Sequence, residues 1–209
     1  MKPCRPLYVF GYGSLMWRPD FPFTWSQSAL AIGHSRSLCV WSSTYRGSPE
    51  RPGLVFGLDE APGRKARGLL FKVEQEDRRR VIHYLFQREL IYPIYQPSQV
   101  LVQTKDDIFP ALTFTVDRND PAYAVNINHS VRRAAIASGR GRAGRAKDYL
   151  ANALLKLREL GVQEPALEAD LAAAEALPDD PDLLFGLLNE AMRCRLDLVF
   201  KPVHERPPV

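Results

Sequence analysis

The order of elements in this 209-residue chain predicts an α+β fold: an antiparallel sheet or small β-barrel first, helices last. Two observations carry that prediction. Short β-branched and aromatic runs, separated by turn clusters, fill the first part of the chain, and from His129 onward helical periodicity replaces them. No regular alternation of strand and helix suggests a parallel array.

The first strand is Leu7-Tyr8-Val9-Phe10, closed by Gly11-Tyr12-Gly13-Ser14. Further strand-like runs are 37–41, 54–58, 67–73, 98–103 and 110–116, with turns expected at Arg46-Gly47-Ser48-Pro49 and Ala61-Pro62-Gly63. Between them, 74–90 has the apolar spacing of a helix lying on the sheet (Val81, Ile82, Leu85, Phe86), with Glu74, Glu76 and Asp77 as acids at its start. Helices are then expected over 130–138, 146–160, 165–177 and 181–195, punctuated by Gly139, Gly141, Gly144, Gly161 and Pro178. The Pro-rich end, 201–209, is expected to be extended.

Hydrophobic residues make up 45% of the chain and charged residues 25%, the composition of an ordinary globule. No apolar run approaches the roughly 18–20 residues that span a bilayer, and the first residues lack a secretory signal, so the expected compartment is the cytoplasm, with no membrane partner. Cys4, Cys39 and Cys194 have neither zinc-type nor redox spacing and are expected to be free thiols. The net charge of +4 conceals an asymmetry. Residues 1–158 hold 24 Lys and Arg against 13 Asp and Glu, whereas 159–192 hold nine acids and no Lys or Arg. The acidic segment is expected to be helical, solvated on one face or lying against a basic body.

Three stretches can carry chemistry. In Gly11-Tyr12-Gly13-Ser14-Leu15-Met16, glycines at a strand end allow successive backbone N–H groups to converge on a carboxylate or oxyanion, although a plain tight turn explains them equally well. Glu89, beside Leu85, Phe86, Leu90 and Ile91, would be partly desolvated and so suited to proton transfer; the alternative is a surface carboxylate paired with an Arg. Arg46, in a polar turn after Trp41, could grip a carboxylate bidentately or simply be solvated. The run Arg132, Arg133, Arg140, Arg142, Arg145, Lys147 raises a nucleic-acid partner, but only Tyr149 accompanies it, without the stacking aromatics, zinc ligands or recognition helix of known modules. His34, His83, His129 and His204 are isolated and form no metal or triad pattern.

Taken together the chain resembles the ChaC-like γ-glutamylcyclotransferases, which act on glutathione. The resemblance rests on Val9 through Pro22, Ser43 through Pro49, Pro52-Gly53, Gly68 through Phe71, Tyr84 through Glu89 and Ser138 through Leu150. It implies a small mixed barrel flanked by helices, a single domain over 1–209 with a catalytic core of about 7–165 and an acidic helical extension of about 166–200, and neither metal nor cofactor. It further implies that Gly11, Tyr12, Gly13, Ser14, Leu15 and Met16 bind the γ-glutamyl group, with Arg46 and Tyr149 as further substrate-binding residues, and that Glu89 is the general base. The substrate would be a small molecule, glutathione or another γ-glutamyl compound. The chain departs from the family pattern at Leu90-Ile91, where Gly-Gly is common, at Ala146 and Asp148, where Asn and Glu are usual, and at Phe71, where Tyr is frequent.

Overall fold

The computed structural model describes residues 6–124 and 126–200, so the expectations for Cys4, His204 and the Pro-rich end lie outside the described residues. A closed barrel of five strands runs in the order β1-β3-β2-β4-β5, where β1 is Leu7–Gly11, β2 Trp25–Ser42, β3 Gly53–Val73, β4 Tyr95–Gln103 and β5 Ile108–Val116. The barrel is mixed: β1 pairs antiparallel with β3 (Val9 opposite Phe71, Gly11 opposite Leu69) and parallel with β5 (Val9 opposite Leu112), while β4 and β5 are antiparallel. The α-helices are α1 (Arg78–Glu89), α2 (His129–Ser138), α3 (Ala146–Glu159), α4 (Pro165–Glu175), α5 (Pro181–Leu187) and α6 (Glu190–Phe200), and a two-stranded hairpin, β6 (Arg140–Gly141) with β7 (Gly144–Arg145), precedes α3. The predicted α+β class, with strands early and helices late, is the observed one.

The chain parts into two compact units, residues up to 37 with 57–117 and 159–162, and residues 38–56 with 118–158 and 163 onward. The division cuts across β2 and β3.

The first unit holds most of the barrel. Its core is built from the buried strand residues Val9, Phe10, Leu70, Phe71, Val73, Val102 and Phe114, which alternate between the two faces of the barrel wall, and from Val81 and Leu85 of α1. Thr113 is fully buried, and its hydroxyl donates to the Phe10 carbonyl at 2.9 Å, which satisfies both groups. Gly68 must be glycine: a Cβ there would lie 2.3 Å from the Gly11 carbonyl oxygen and 2.7 Å from the Phe10 ring, so β3 can pass against the end of β1 only without a side chain.

Four local expectations are corrected. The turn expected at Ala61-Pro62-Gly63 is absent; β3 continues through it, with Gly63 taking up the irregularity at a φ of +80°. The runs 54–58 and 67–73 are therefore one strand, and 37–41 is the end of β2, whose earlier part was missed because its buried positions, Ala29 and Ala31, are small residues of low strand propensity. The helix expected over 181–195 is two: Leu188 is extended, and the Asn189 side chain accepts from the Met192 N–H at 2.9 Å to start α6. Glu74 is not a helix-start acid. It binds Lys72 at 2.8 Å and the Thr24 hydroxyl at 3.1 Å.

In the second unit, the acidic segment and the arginine run neutralise each other. Asp170 of α4 has a fully buried side chain that accepts from Arg133 Nε (2.8 Å), Arg132 Nη1 (3.1 Å) and His129 Nδ1 (2.9 Å), all on α2. Burial alone would raise its pKa; the hydrogen bonds from His129, Arg133 and Arg132 outweigh burial and hold it below the ordinary aspartate value. Asp179 accepts from Arg51 and Arg145, each at 2.6 Å, with Arg140 at 3.8 Å. Arg158 pairs with Glu168 at 3.1 Å.

Candidate active site

The glycine loop begins where β1 ends at Gly11 and turns at once into a single 3₁₀ turn, Ser14–Met16. Met16 N–H donates to the Gly13 carbonyl at 2.9 Å and Arg18 N–H to the Ser14 carbonyl at 2.9 Å. Such a turn leaves its first N–H groups without acceptors of its own. Leu15 and Met16 are buried and anchor the turn, so their side chains face the core and the loop presents backbone and Ser14. Tyr12 is buried too, its hydroxyl donating to the Phe114 carbonyl of β5 at 2.8 Å. Phe21 and Phe23, just beyond the loop, pack on Phe71 of β3 with ring centroids 5.4 and 5.1 Å away.

Glu89 is the last residue of α1. It continues the i, i+4 stripe of Val81 and Leu85, both fully buried, so the helix period itself carries this carboxylate toward the core. Its side chain is 19% exposed, and desolvation raises its pKa above the ordinary glutamate value, with Arg88 pulling the other way. The sequence reading attributed the desolvation to Leu85, Phe86, Leu90 and Ile91. Of these only Leu85 is buried; Phe86, Leu90 and Ile91 are exposed.

Arg88 joins Glu89 to the loop. Its Nε lies 3.2 Å from Glu89 Oε1, its Nη2 donates to Ser14 Oγ at 2.9 Å, and its Nη1 donates to the Arg18 carbonyl at 2.6 Å and to the Tyr84 hydroxyl at 2.7 Å. Asp20, which carries a left-handed φ of 54°, places Oδ2 3.6 Å from Arg88 Nη1. A carboxylate of raised proton affinity thus shares one guanidinium with a backbone-rich glycine loop. Sequence reasoning missed Arg88, Tyr84 and Asp20; the i, i+4 spacing of Tyr84 and Arg88 was the available signal.

Arg46 and Tyr149 belong to the second unit, where they meet: the Arg46 guanidinium sits 5.6 Å from the Tyr149 ring centroid. Arg46 Nη1 also donates to the Arg145 carbonyl at 3.5 Å, and the Phe56 N–H donates to the Tyr149 hydroxyl at 3.2 Å. Arg142 stacks over Tyr45 at 4.3 Å. Among the described residues no group of three His, Cys, Asp or Glu is placed to hold a metal ion, and no helix is long and apolar enough to cross a membrane.

The model of a family described as ChaC-like protein matches residues 7–176. An Escherichia coli protein named glutathione-specific γ-glutamylcyclotransferase is 30% identical over 179 residues, covering 83% of this chain and 77% of that protein. A human protein named glutathione-specific γ-glutamylcyclotransferase 1 is 30% identical over 149 residues, 70% of this chain and 67% of that protein. Among solved structures, a yeast γ-glutamyl cyclotransferase specific to glutathione superposes with a TM-score of 0.71 at 20% identity, covering 81% of this chain and 96% of that one, a likeness of fold.

Proposed function

The chain belongs to the ChaC-like family, and we propose that it is a γ-glutamylcyclotransferase that cleaves glutathione to 5-oxoproline and cysteinylglycine. The observation that carries the mechanism is the pairing of a desolvated Glu89 with the glycine loop through Arg88. Glu89 takes a proton from the α-ammonium group of the substrate. The freed amine attacks the γ-amide carbonyl of the same molecule, forming the ring C–N bond; as the amide C–N bond breaks, Glu89 returns the first proton to the departing nitrogen and then passes on the second proton shed by the ring nitrogen, so that cysteinylglycine leaves as its ammonium form and Glu89 ends as the carboxylate. No water is consumed. Backbone N–H groups of the glycine loop other than that of Met16, which bonds the Gly13 carbonyl, hold the α-carboxylate or the developing oxyanion. Nucleophile and electrophile are already one molecule, so freezing the reactive conformer supplies much of the acceleration. Arg46, stacked on Tyr149, suits a substrate carboxylate, because a guanidinium grips it with two parallel N–H groups.

Four members of the run have a structural role in this reading: Arg132 and Arg133 bind Asp170, and Arg140 and Arg145 face Asp179, which favours a structural run over a nucleic-acid surface. The expected compartment remains the cytoplasm. The departures at Leu90-Ile91, Ala146 and Asp148 bear on the leaving group, and a second reading keeps the cyclisation but changes the amine released.

Purified protein incubated with glutathione and a panel of γ-glutamyl amides, with 5-oxoproline as readout, tests both. Glutathione as the best substrate supports the proposal, another γ-glutamyl compound as the best selects the second reading, and 5-oxoproline from none of them overturns the activity. Glu89→Gln is expected to keep the fold and lower turnover by about two orders of magnitude or more. Turnover near wild type would remove Glu89 from the mechanism.

A further inference from the structure

Building on Glu89 as the general base, we propose that Arg88 is the positioning residue of this site, its guanidinium tying the Glu89 carboxylate to the glycine loop through Ser14. Neighbouring residues on a helix project about 100° apart and do not normally face each other. The Arg88–Glu89 contact at 3.2 Å is therefore not a routine helix rung. It exists because the two outer nitrogens are held elsewhere: Nη2 on Ser14 Oγ at 2.9 Å, Nη1 on the Arg18 carbonyl at 2.6 Å and the Tyr84 hydroxyl at 2.7 Å. With the fork fixed at those points, Nε can only point at Glu89. The Arg88 side chain is 19% exposed, and its guanidinium carbon lies 5.9 Å from the Tyr84 ring centroid, which restricts it further. Only arginine has donors in a rigid fork that reaches Ser14, the Arg18 carbonyl, Tyr84 and Glu89 together; a lysine ammonium has a single centre.

The same guanidinium sets how readily Glu89 takes a proton. Desolvation raises the Glu89 pKa and Arg88 opposes that rise, so the guanidinium limits how far burial lifts the proton affinity of the base. The other charged or titratable groups at this junction are Asp20, 3.6 Å from Arg88 Nη1, Arg18, 3.9 Å from Asp20, and Tyr84.

The test measures 5-oxoproline formation from glutathione against pH for wild type, Arg88→Met, Arg88→Lys and Glu89→Gln, with thermal midpoints for each. Arg88→Met, which keeps the stem, is expected to lower kcat by about tenfold or more and to move the acid limb of the kcat profile up by about one pH unit, because a cation beside the base is gone. Arg88→Lys is expected to keep the limb close to wild type while losing turnover. An acid limb in Arg88→Met within about 0.3 units of wild type overturns the proposal, even if the thermal midpoint falls, because packing alone would move only the midpoint. Should Arg88→Met not fold, Arg88→Lys decides: wild-type kcat in it overturns the proposal and reduced kcat with an unmoved limb supports it. An active Glu89→Gln withdraws the general base itself, whereas an inactive Glu89→Gln beside an Arg88→Met of wild-type profile withdraws Arg88 alone.

Discussion

Asp170→Asn removes one charge from the centre of the second unit without changing the size of the side chain. The wild-type carboxylate is fully buried and accepts from Arg133, Arg132 and His129 at 2.8, 3.1 and 2.9 Å. An asparagine keeps one acceptor and turns an NH₂ toward cations, so at least one donor loses its partner. Breaking a buried ion pair costs about 3–5 kcal/mol. Arg132, Arg133 and His129 are 25%, 37% and 63% exposed and can recover water, which reduces the expected loss to about 2–3 kcal/mol. For a chain of this size that is a fall of about 5–10 °C in the thermal midpoint. The assay is thermal unfolding followed by circular dichroism, wild type beside variant, at pH 7 and then at falling pH. Because the folded pKa of Asp170 lies below its unfolded value, its stabilisation is complete above the unfolded pKa and is lost as pH falls through the folded one. The gap between the two proteins should therefore be constant from about pH 5 upward and close below about pH 4. A midpoint within about 1 °C of wild type at pH 7, or a gap that stays open in acid, would refute the assignment of Asp170 as the anchor between α4 and α2.

Other outcomes follow from the same geometry. The acid limb of the wild-type kcat profile should lie above the ordinary glutamate pKa of about 4.3, since burial outweighs Arg88 at Glu89; a limb at or below that value points to a different base. Gly68→Ala should destabilise by about 1–3 kcal/mol and reduce activity, because its Cβ would push on the Gly11 carbonyl and the Phe10 ring where the loop begins; unchanged stability and rate would contradict the close approach. Arg46→Lys should raise KM for glutathione several-fold with kcat nearly unchanged, and an unaltered KM would remove Arg46 from substrate binding.

The fold class and the strongest chemical candidates were legible in the sequence because each depends on local spacing. The β-branched run ending in Gly-Tyr-Gly-Ser marks a strand opening into a loop, and the apolar period within 74–90 marks a helix, which the structure forms over Arg78–Glu89. Glycine at 68 and the stripe of Val81, Leu85 and Glu89 were equally on the page, although their consequence shows only when β1, β3 and α1 are packed. Strand continuity was not legible. Ala61-Pro62-Gly63 has turn composition, yet ladder pairing carries β3 through it, and a single glycine at positive φ absorbs the conflict.

Charge shows the division most clearly. Counting residues reveals a basic body and an acidic segment, and by itself determines that they can attract. Which arginine meets which carboxylate is decided by tertiary structure: Asp170 takes Arg132 and Arg133, Asp179 takes Arg51 and Arg145, and Arg88 is turned to Ser14 and Glu89. The physical reason is reach. A spacing pattern acts over a helical turn or a strand pair, whereas an ion pair or hydrogen bond forms only between groups within about 3–4 Å, and residues far apart in sequence come that close only after the chain has folded.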